Sequence, residues 1–390
     1  MLLILLSRAC AMDSAQVLTT LRSRHRTRSV HRGGQPAAGG NSSTETRMIR
    51  RMTRRHHAAS VGSRFAAVMT LLLLFGCGSS ADSGANGSSS TAPTAPPATT
   101  PQAAVGIVQQ WAAAENHAAV NRVIPQLPPI EEGPALEMDT AQFQAYATYV
   151  KTLQPYTVSD ITAMVPQDGA YPTSFLAEVT THSGSAATRY LLLFAKDDAG
   201  AAWKLAAYLV PTGGASFPAF ALNAQGYATA LDAATMRGYP APVPGVAGAY
   251  CNYLGTIFGA TKQVSNAPNL SFAAGPYTSD YVNAGKSSTD TIRHAGGTSA
   301  GTYAPESYGW AYKLADGSAF DIVTIQSTLD QTAAANTQIS VPEVFPFVTA
   351  GRYTTTTQAS EGTEGIIEPA SGTTASVTMQ YTQYTKAQAT

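Results

Sequence analysis

The sequence predicts an α+β fold in two units, each with N-terminal helices packed on a curved antiparallel sheet. Three observations lead there. Helical periodicity over residues 105–153 comes first, and a run of short strand-like segments follows it. A stretch from Pro211 to Pro218 then interrupts the pattern. After it, helix-then-strand order restarts at Val246. Helices grouped ahead of antiparallel strands, rather than alternating with them, indicate α+β architecture.

In the first unit, 102–215, Val108, Trp111, Ala112, Ala119 and Val123 fall on one arc of a helix over Val105–Val123, which Pro125 ends. A second helix is expected over Thr140–Leu153, with Phe143, Tyr146, Ala147 and Val150 inward and Asp139 or Thr140 as its cap. Strands are expected at Tyr156–Val165, Phe175–Thr181, Arg189–Lys196 and Trp203–Val210. Leu191-Leu192-Leu193-Phe194 lacks alternation, so both its faces should be covered. Asp197-Asp198-Ala199-Gly200 reads as the turn of a hairpin.

In the second unit, 216–390, Val246, Ala249, Tyr250, Tyr253 and Ile257 make a helical face, and a weaker helix is expected between Pro276 and His294. Strands are expected at Tyr308–Leu314, Ala319–Leu329, Phe345–Thr356 and Ser376–Tyr384, with Asp316-Gly317 as a hairpin turn.

The folded part is preceded by what reads as an export segment. Arg50, Arg51, Arg54, Arg55 and Arg64 form a basic region, and Phe65–Phe75 is an apolar run of 11 residues. That is too short to span a bilayer, which takes roughly 20 apolar residues. Leu74-Phe75-Gly76-Cys77 ends the run and resembles the lipobox of a bacterial lipoprotein. The resemblance implies that Cys77 receives a diacylglyceryl group and becomes the N-terminus after cleavage, which tethers the chain to the extracytoplasmic face of the cell membrane. Residues 48–76 are then the signal peptide, exported by the general secretory route, and translation is expected to start at Met48 or Met52. Residues 1–47 are read as a mis-assigned start or a disordered extension. Gly78–Pro101 is rich in Ser, Thr, Gly, Pro and Ala with Asp82 as its one charge, so 77–101 reads as a flexible tether.

Processing changes the charge balance. The chain is neutral as a whole, but residues 1–76 hold 12 of its 24 Lys and Arg and two of its 24 Asp and Glu, so the part from Cys77 onward carries −10. That excludes a nucleic-acid partner, which needs clustered basic residues. Of the three cysteines only Cys251 remains beyond the anchor, and its apolar setting in Ala249–Tyr253 reads as structural.

The motif-like strings lack the context their chemistry needs. Gly297-Thr298-Ser299-Ala300-Gly301 fits a nucleophile elbow in spelling, but no apolar strand precedes it and no helix follows, so it reads as a loop. Gly285-Lys286-Ser287 resembles the end of a phosphate loop, yet Asp280 stands where the opening glycine belongs, which excludes nucleotide binding. His117, His182 and His294 have no partner at metal-ligand spacing, and no metal or cofactor is expected.

The element order resembles the NTF2-like or cystatin-like fold. Glu115-Asn116 through Asn121, Glu132-Gly133-Pro134-Ala135-Leu136, Arg189–Phe194 and Trp203-Lys204 resemble stretches of an uncharacterised actinobacterial lipoprotein family. That resemblance carries no transferable activity. Glu115 is the carboxylate of most interest, because helical phase sets it between Trp111 and Ala119 on the apolar face. It is expected to pair with Arg122; the alternative is a pocket acid. Trp111, Glu115 and Tyr146 are the candidate pocket residues, and Tyr149, Tyr156, Tyr250 and Tyr253 can line a cavity or form core. The function expected is a non-catalytic binding or scaffold module of the envelope, taking a small apolar ligand or an envelope protein. The alternative is an isomerase, dehydratase or hydrolase of NTF2-like type with Glu115 as acid–base.

Overall fold

The computed structural model describes residues 96–149, 154–212, 215–260, 262–341 and 347–390, with backbone alone for 146–149. The stretches read as lipobox and signal segment, and most of that read as a tether, lie outside the described residues. No helix of the described residues is long and apolar enough to cross a membrane.

Helix α1 spans Pro101–Asn121. Thr100 caps it, its hydroxyl accepting the Ala103 N–H at 3.2 Å, and Pro101 sits where a missing N–H costs nothing. Ala104, Val108, Ala112, Glu115 and Ala118 form its buried face. The helix ends at Arg122, which is left-handed (φ 54°) and turns its N–H back to the carbonyls of Ala118 and Ala119. Helix α2 spans Gly133–Tyr149, so it begins well before the expected Thr140. Asp139 is therefore an interior helical residue and not the cap.

Strands β1 (Thr157–Met164), β2 (Thr173–Ser183), β3 (Ala186–Lys196) and β4 (Lys204–Pro211) form an antiparallel meander. At the β3–β4 hairpin the Asp198 carboxylate accepts the N–H groups of Gly200 at 2.7 Å and Ala201 at 2.9 Å. Strand β3 is covered on both faces as expected: Leu191 and Leu193 belong to one core, Leu192 and Phe194 to another.

The second half follows with β5 (Ala230–Leu231), α3 (Val243–Gly255), β6 (Ser271–Phe272) and α4 (Tyr281–His294). Strands β7 (Thr298–Lys313), β8 (Ala319–Thr332), β9 (Ile339–Val341), β10 (Gly351–Tyr353), β11 (Thr355–Glu368) and β12 (Thr374–Ala389) complete the chain. Gly317 (φ 89°) makes the β7–β8 turn, and the Ser318 N–H donates to Asp316 at 2.9 Å. Of the strand expected at Phe345–Thr356, residues 345 and 346 lie outside the described residues, and the rest holds the short β10 and the first residues of β11. The Gly297–Gly301 string is not a loop. It opens β7, directly after a helix, which is the reverse of the strand–turn–helix order of a nucleophile elbow. Its glycines admit close neighbours: a Cβ at Gly297 would meet the Thr332 carbonyl, and one at Gly301 the Phe258 ring. Gly285-Lys286-Ser287 lies inside α4.

The helix-then-strand order does repeat, but the two halves do not have separate sheets. The strand order is β1-β2-β3-β4-β12-β11-β8-β7-β5, with β6 parallel to β12 and β9–β10 apart. The last strand of each half meets at the seam, β4 against β12, through Val210↔Gln380 and Pro211↔Met379. Joining them removes two exposed sheet edges, each a row of unpaired backbone groups. The sheet then curls until its two wings touch: the Ser174 hydroxyl on β2 lies 2.7 Å from the Tyr312 hydroxyl on β7. Leu191, Leu193 and Leu209 of one wing share an inner core with Tyr312, Phe320 and Ile322 of the other. Each helix pair covers an outer core, α1 and α2 over Phe175, Phe194 and Tyr208, α3 and α4 over Val323, Ile325 and Val377.

Candidate functional site

A cavity of about 110 Å³ opens between the α1–α2 pair and the first wing. Helix α1 supplies Trp111 and Glu115, α2 supplies Asp139 and Gln142, and strands β2 to β4, with Gln154 and Tyr156 just before β1, supply the floor. Tyr381 reaches it from β12, across the seam, with its ring 4.4 Å from that of Tyr208. A wall of the first half's cavity thus belongs to the second half.

Three carboxyl groups gather here. Glu115 is 8 % exposed, Asp139 7 % and Glu131 fully buried. Glu131 is set by the segment before α2, which is strapped to β4 by the Leu205 N–H donating to Ile130 and the Glu132 N–H donating to Leu205, each at 2.9 Å. Tyr208 donates its hydroxyl to Asp139 at 2.7 Å, and the Trp111 indole N–H points to Glu131 at 3.4 Å. The Tyr156 hydroxyl bonds Glu115. Asn116 holds the Tyr156 backbone on both sides, donating to its carbonyl at 2.7 Å and accepting its N–H at 2.8 Å.

No ion pair reaches Glu115, Glu131 or Asp139 among the described residues; the ion pair formed there joins Lys204 to Glu132 at 3.8 Å. The expected Glu115–Arg122 pair is not made. Arg122 lies at the helix end, where its left-handed backbone turns the chain away, and its Nη2 and the Glu115 Oε2 are both buried without a hydrogen bond. Burial, with the charge of Asp139 adding to it, pushes the Glu115 carboxyl up to about 8, opposed by the Tyr156 hydroxyl. Burial pushes Asp139 up to about 6, against the pull of the Tyr208 hydrogen bond. Glu131 is driven well above the usual carboxylate range by burial and by its two acidic neighbours.

Of the residues singled out from sequence, Trp111, Glu115 and Tyr156 meet in this cavity. Tyr146 lies on α2, but its side chain and that of Tyr149 are outside the described residues, as is Cys77. Tyr250 and Tyr253 belong to the outer core of the second wing, stacked 6.5 Å apart. Cys251 is buried beside them, its thiol pushed up to about 12 by burial and by Glu364, so it is no nucleophile. Sequence reasoning missed Glu131, Asp139, Tyr190, Tyr208 and Tyr381. For Asp139 a signal was present: it follows Ala135 by four residues and precedes Phe143 by four, on the apolar stripe of a longer helix.

The fold and site define an α+β protein with one curled antiparallel sheet and an acid-lined aromatic cavity beneath its first helix pair. The chain belongs to the family described as "Domain of unknown function (DUF8094)", whose model matches residues 95–389. No curated protein and no solved structure matches it.

Proposed function

We propose that this chain is an exported lipoprotein, anchored to the extracytoplasmic face of the cell membrane through Cys77, and that its folded part is a non-catalytic module that binds a small ligand. The observation that carries the ligand reading is Glu115: the residue lines a cavity rimmed by aromatic rings, and its Oε2, itself buried, has no hydrogen-bond partner. A buried polar atom left unsatisfied is costly, and a ligand that bonds it recovers that cost. The anchor rests on the basic region, the short apolar run and Leu74-Phe75-Gly76-Cys77. The two halves are read as cystatin-like or NTF2-like units fused last strand to last strand, and the lipoprotein relatives as actinobacterial.

One observation favours the pocket enzyme instead. Glu115 at about 8 and Asp139 at about 6 share a cavity, and two acids held apart in this way suit acid–base exchange.

Native mass spectrometry of the protein purified from its own membrane tests the ligand reading; a co-purifying small molecule that is lost from the Trp111→Ala variant is the expected result. Recovery of that molecule chemically converted would favour the enzyme. Cys77→Ala should move the protein out of the membrane fraction or leave it unprocessed, and a mature N-terminus elsewhere without lipid would refute the anchor.

A further inference from the structure

The cavity's chemistry narrows what it takes. We infer that its ligand is a small organic cation with N–H donors, a protonated amine, whose charged head sits at Glu115 and Asp139 and whose apolar stem lies along the rings of Trp111, Tyr156, Tyr190 and Tyr208. The inference rests on the ligand-pocket reading above.

Three features point to this class. The first is acceptor capacity beyond the neutral donors present: each of the three carboxyls has one aromatic donor, but the Glu115 Oε2 has no partner, and no ion pair reaches any of them among the described residues. An anionic ligand would meet carboxyl groups and no basic side chain among those lining the cavity. The second is the wall. Trp111, Tyr156, Tyr190, Tyr208 and Tyr381 line the cavity, and the faces of such rings attract cations, most strongly where water is excluded. The third is size. One water needs roughly 10–15 Å³ of such space, so about 110 Å³ holds an ammonium head with a short stem and excludes a large ligand.

Binding must be linked to protons. The groups facing Glu115 are Glu131 and Asp139 from the α2 side, Tyr156 from the segment before β1 and Tyr208 from β4, with no cationic side chain among those lining the cavity. In the empty protein Glu115 keeps its proton up to about pH 8. A cation favours the carboxylate, so Glu115 gives up that proton as the amine binds.

The test is calorimetry on the full processed chain in detergent with four ligands of similar size: butylammonium, 1-butanol, butyrate and tetramethylammonium. Butylammonium should bind at pH 8 with millimolar affinity or better, within reach of its roughly five non-hydrogen atoms. It should exceed 1-butanol by about tenfold or more, the scale of a charge-assisted hydrogen bond, and butyrate should not bind. Tetramethylammonium, which has no N–H for Glu115, should be weaker than butylammonium. Butylammonium affinity should rise by up to about tenfold per pH unit from pH 6 to 8, with a proton released to buffer, and Glu115→Gln should flatten that slope. Should that variant not fold, the four-ligand comparison and the slope of the unmodified chain decide.

Butanol or butyrate binding as well as butylammonium, tetramethylammonium binding better, or a slope that is flat or falls with pH would each overturn the cation while leaving a ligand pocket. If none of the four binds and the protein purifies empty, the pocket reading falls too.

Discussion

The two wings of the sheet share a plan, a helix pair over a layer of four long strands, to which the second adds the short β5 and β6, yet they line their cavities with opposite chemistry. Under α1 and α2 the lining includes Glu115 and Asp139 among aromatic rings. Under α4 a smaller cavity, about 60 Å³, is lined by Ser288, Thr289, Ser327, Gln331, Gln358 and Ser360 with three tyrosines, and by no carboxylate. The second wing has buried acids of its own, but they line neither cavity. Glu364 accepts from Gln380 at 2.9 Å, Glu368 accepts the Ala241 N–H at 2.7 Å just before α3, and Asp321 pairs with Ile366 in the β8–β11 register, diagonal to Glu368. In the first wing Glu115 and Asp139 line a cavity; in the second the buried acids are enclosed, Glu364 and Glu368 tying a side chain and a backbone N–H while Asp321 and Glu361 have no hydrogen-bond partner. The comparison teaches that an equal helix-on-sheet scaffold does not imply an equal site, because what separates them is which few polar residues are set on the helix faces.

The largest test of this contrast is pH. Glu115, Glu131, Asp139, Asp321 and Glu364 all have raised folded values. Between the unfolded value, roughly 4.3, and the folded one, the folded chain holds more protons, so stability is greatest in mild acid and falls as pH rises. Glu115 alone, at about 8, corresponds to roughly 5 kcal/mol across that window. The melting temperature should therefore drop by about 10 °C or more from pH 5 to pH 8. Changing Glu115, Glu131 and Asp139 together to amides should remove the first wing's share, and the remaining slope measures the second wing's acids, Asp321, Glu361, Glu364 and Glu368. A profile that is flat or rises with pH would break the contrast.

The inner core tests whether the wings are one folding unit. Phe320 packs there beside Phe220 and Tyr312. Phe320→Ala should cost about 3–5 kcal/mol and lower a single calorimetric transition; two separated transitions would show the wings melting independently.

Tyr208→Phe is a smaller probe. It leaves the ring against Tyr381 and removes the donor to Asp139, at a cost of about 1–3 kcal/mol at pH 7. An unchanged denaturation midpoint would show that the hydroxyl does not hold the acid.

Glu115→Gln should be smallest in stability, within about 0.5 kcal/mol at pH 7. The amide replaces a carboxyl that is already protonated and makes no ion pair. A loss of several kcal/mol at pH 7 would mean that Glu115 is charged and paired in the folded protein.

Much of the fold was legible because period and turn chemistry are local. Asp198 and Asp316-Gly317 close hairpins, and the unalternating Leu191–Phe194 reports a strand with two covered faces, whereas α1 starts at Pro101, four residues before the expected Val105 and inside the stretch read as tether. Strand β11 was not legible. Thr355–Glu368 reads as polar and Gly-rich, yet Gln358, Glu361, Thr363 and Glu364 are buried, because partners on β8 and β12 pair its whole backbone. Its strand character comes from neighbours, which no local propensity encodes.

The site divides in the same way. Trp111 and Glu115 were visible as an aromatic residue and an acid one helical turn apart on an apolar face. That Glu115 lacks Arg122, stands beside Asp139, and shares a cavity with Tyr208 and Tyr381 depends on residues far apart in the chain. The sequence by itself determined the helices and most of the long strands, their order and the charge of the chain, since periodicity, turn residues and composition act within a few residues. The single curled sheet, the β4–β12 seam and the unpaired acids beneath α1 were decided only in three dimensions, because backbone pairing, desolvation and charge–charge repulsion depend on distance in space and not along the chain.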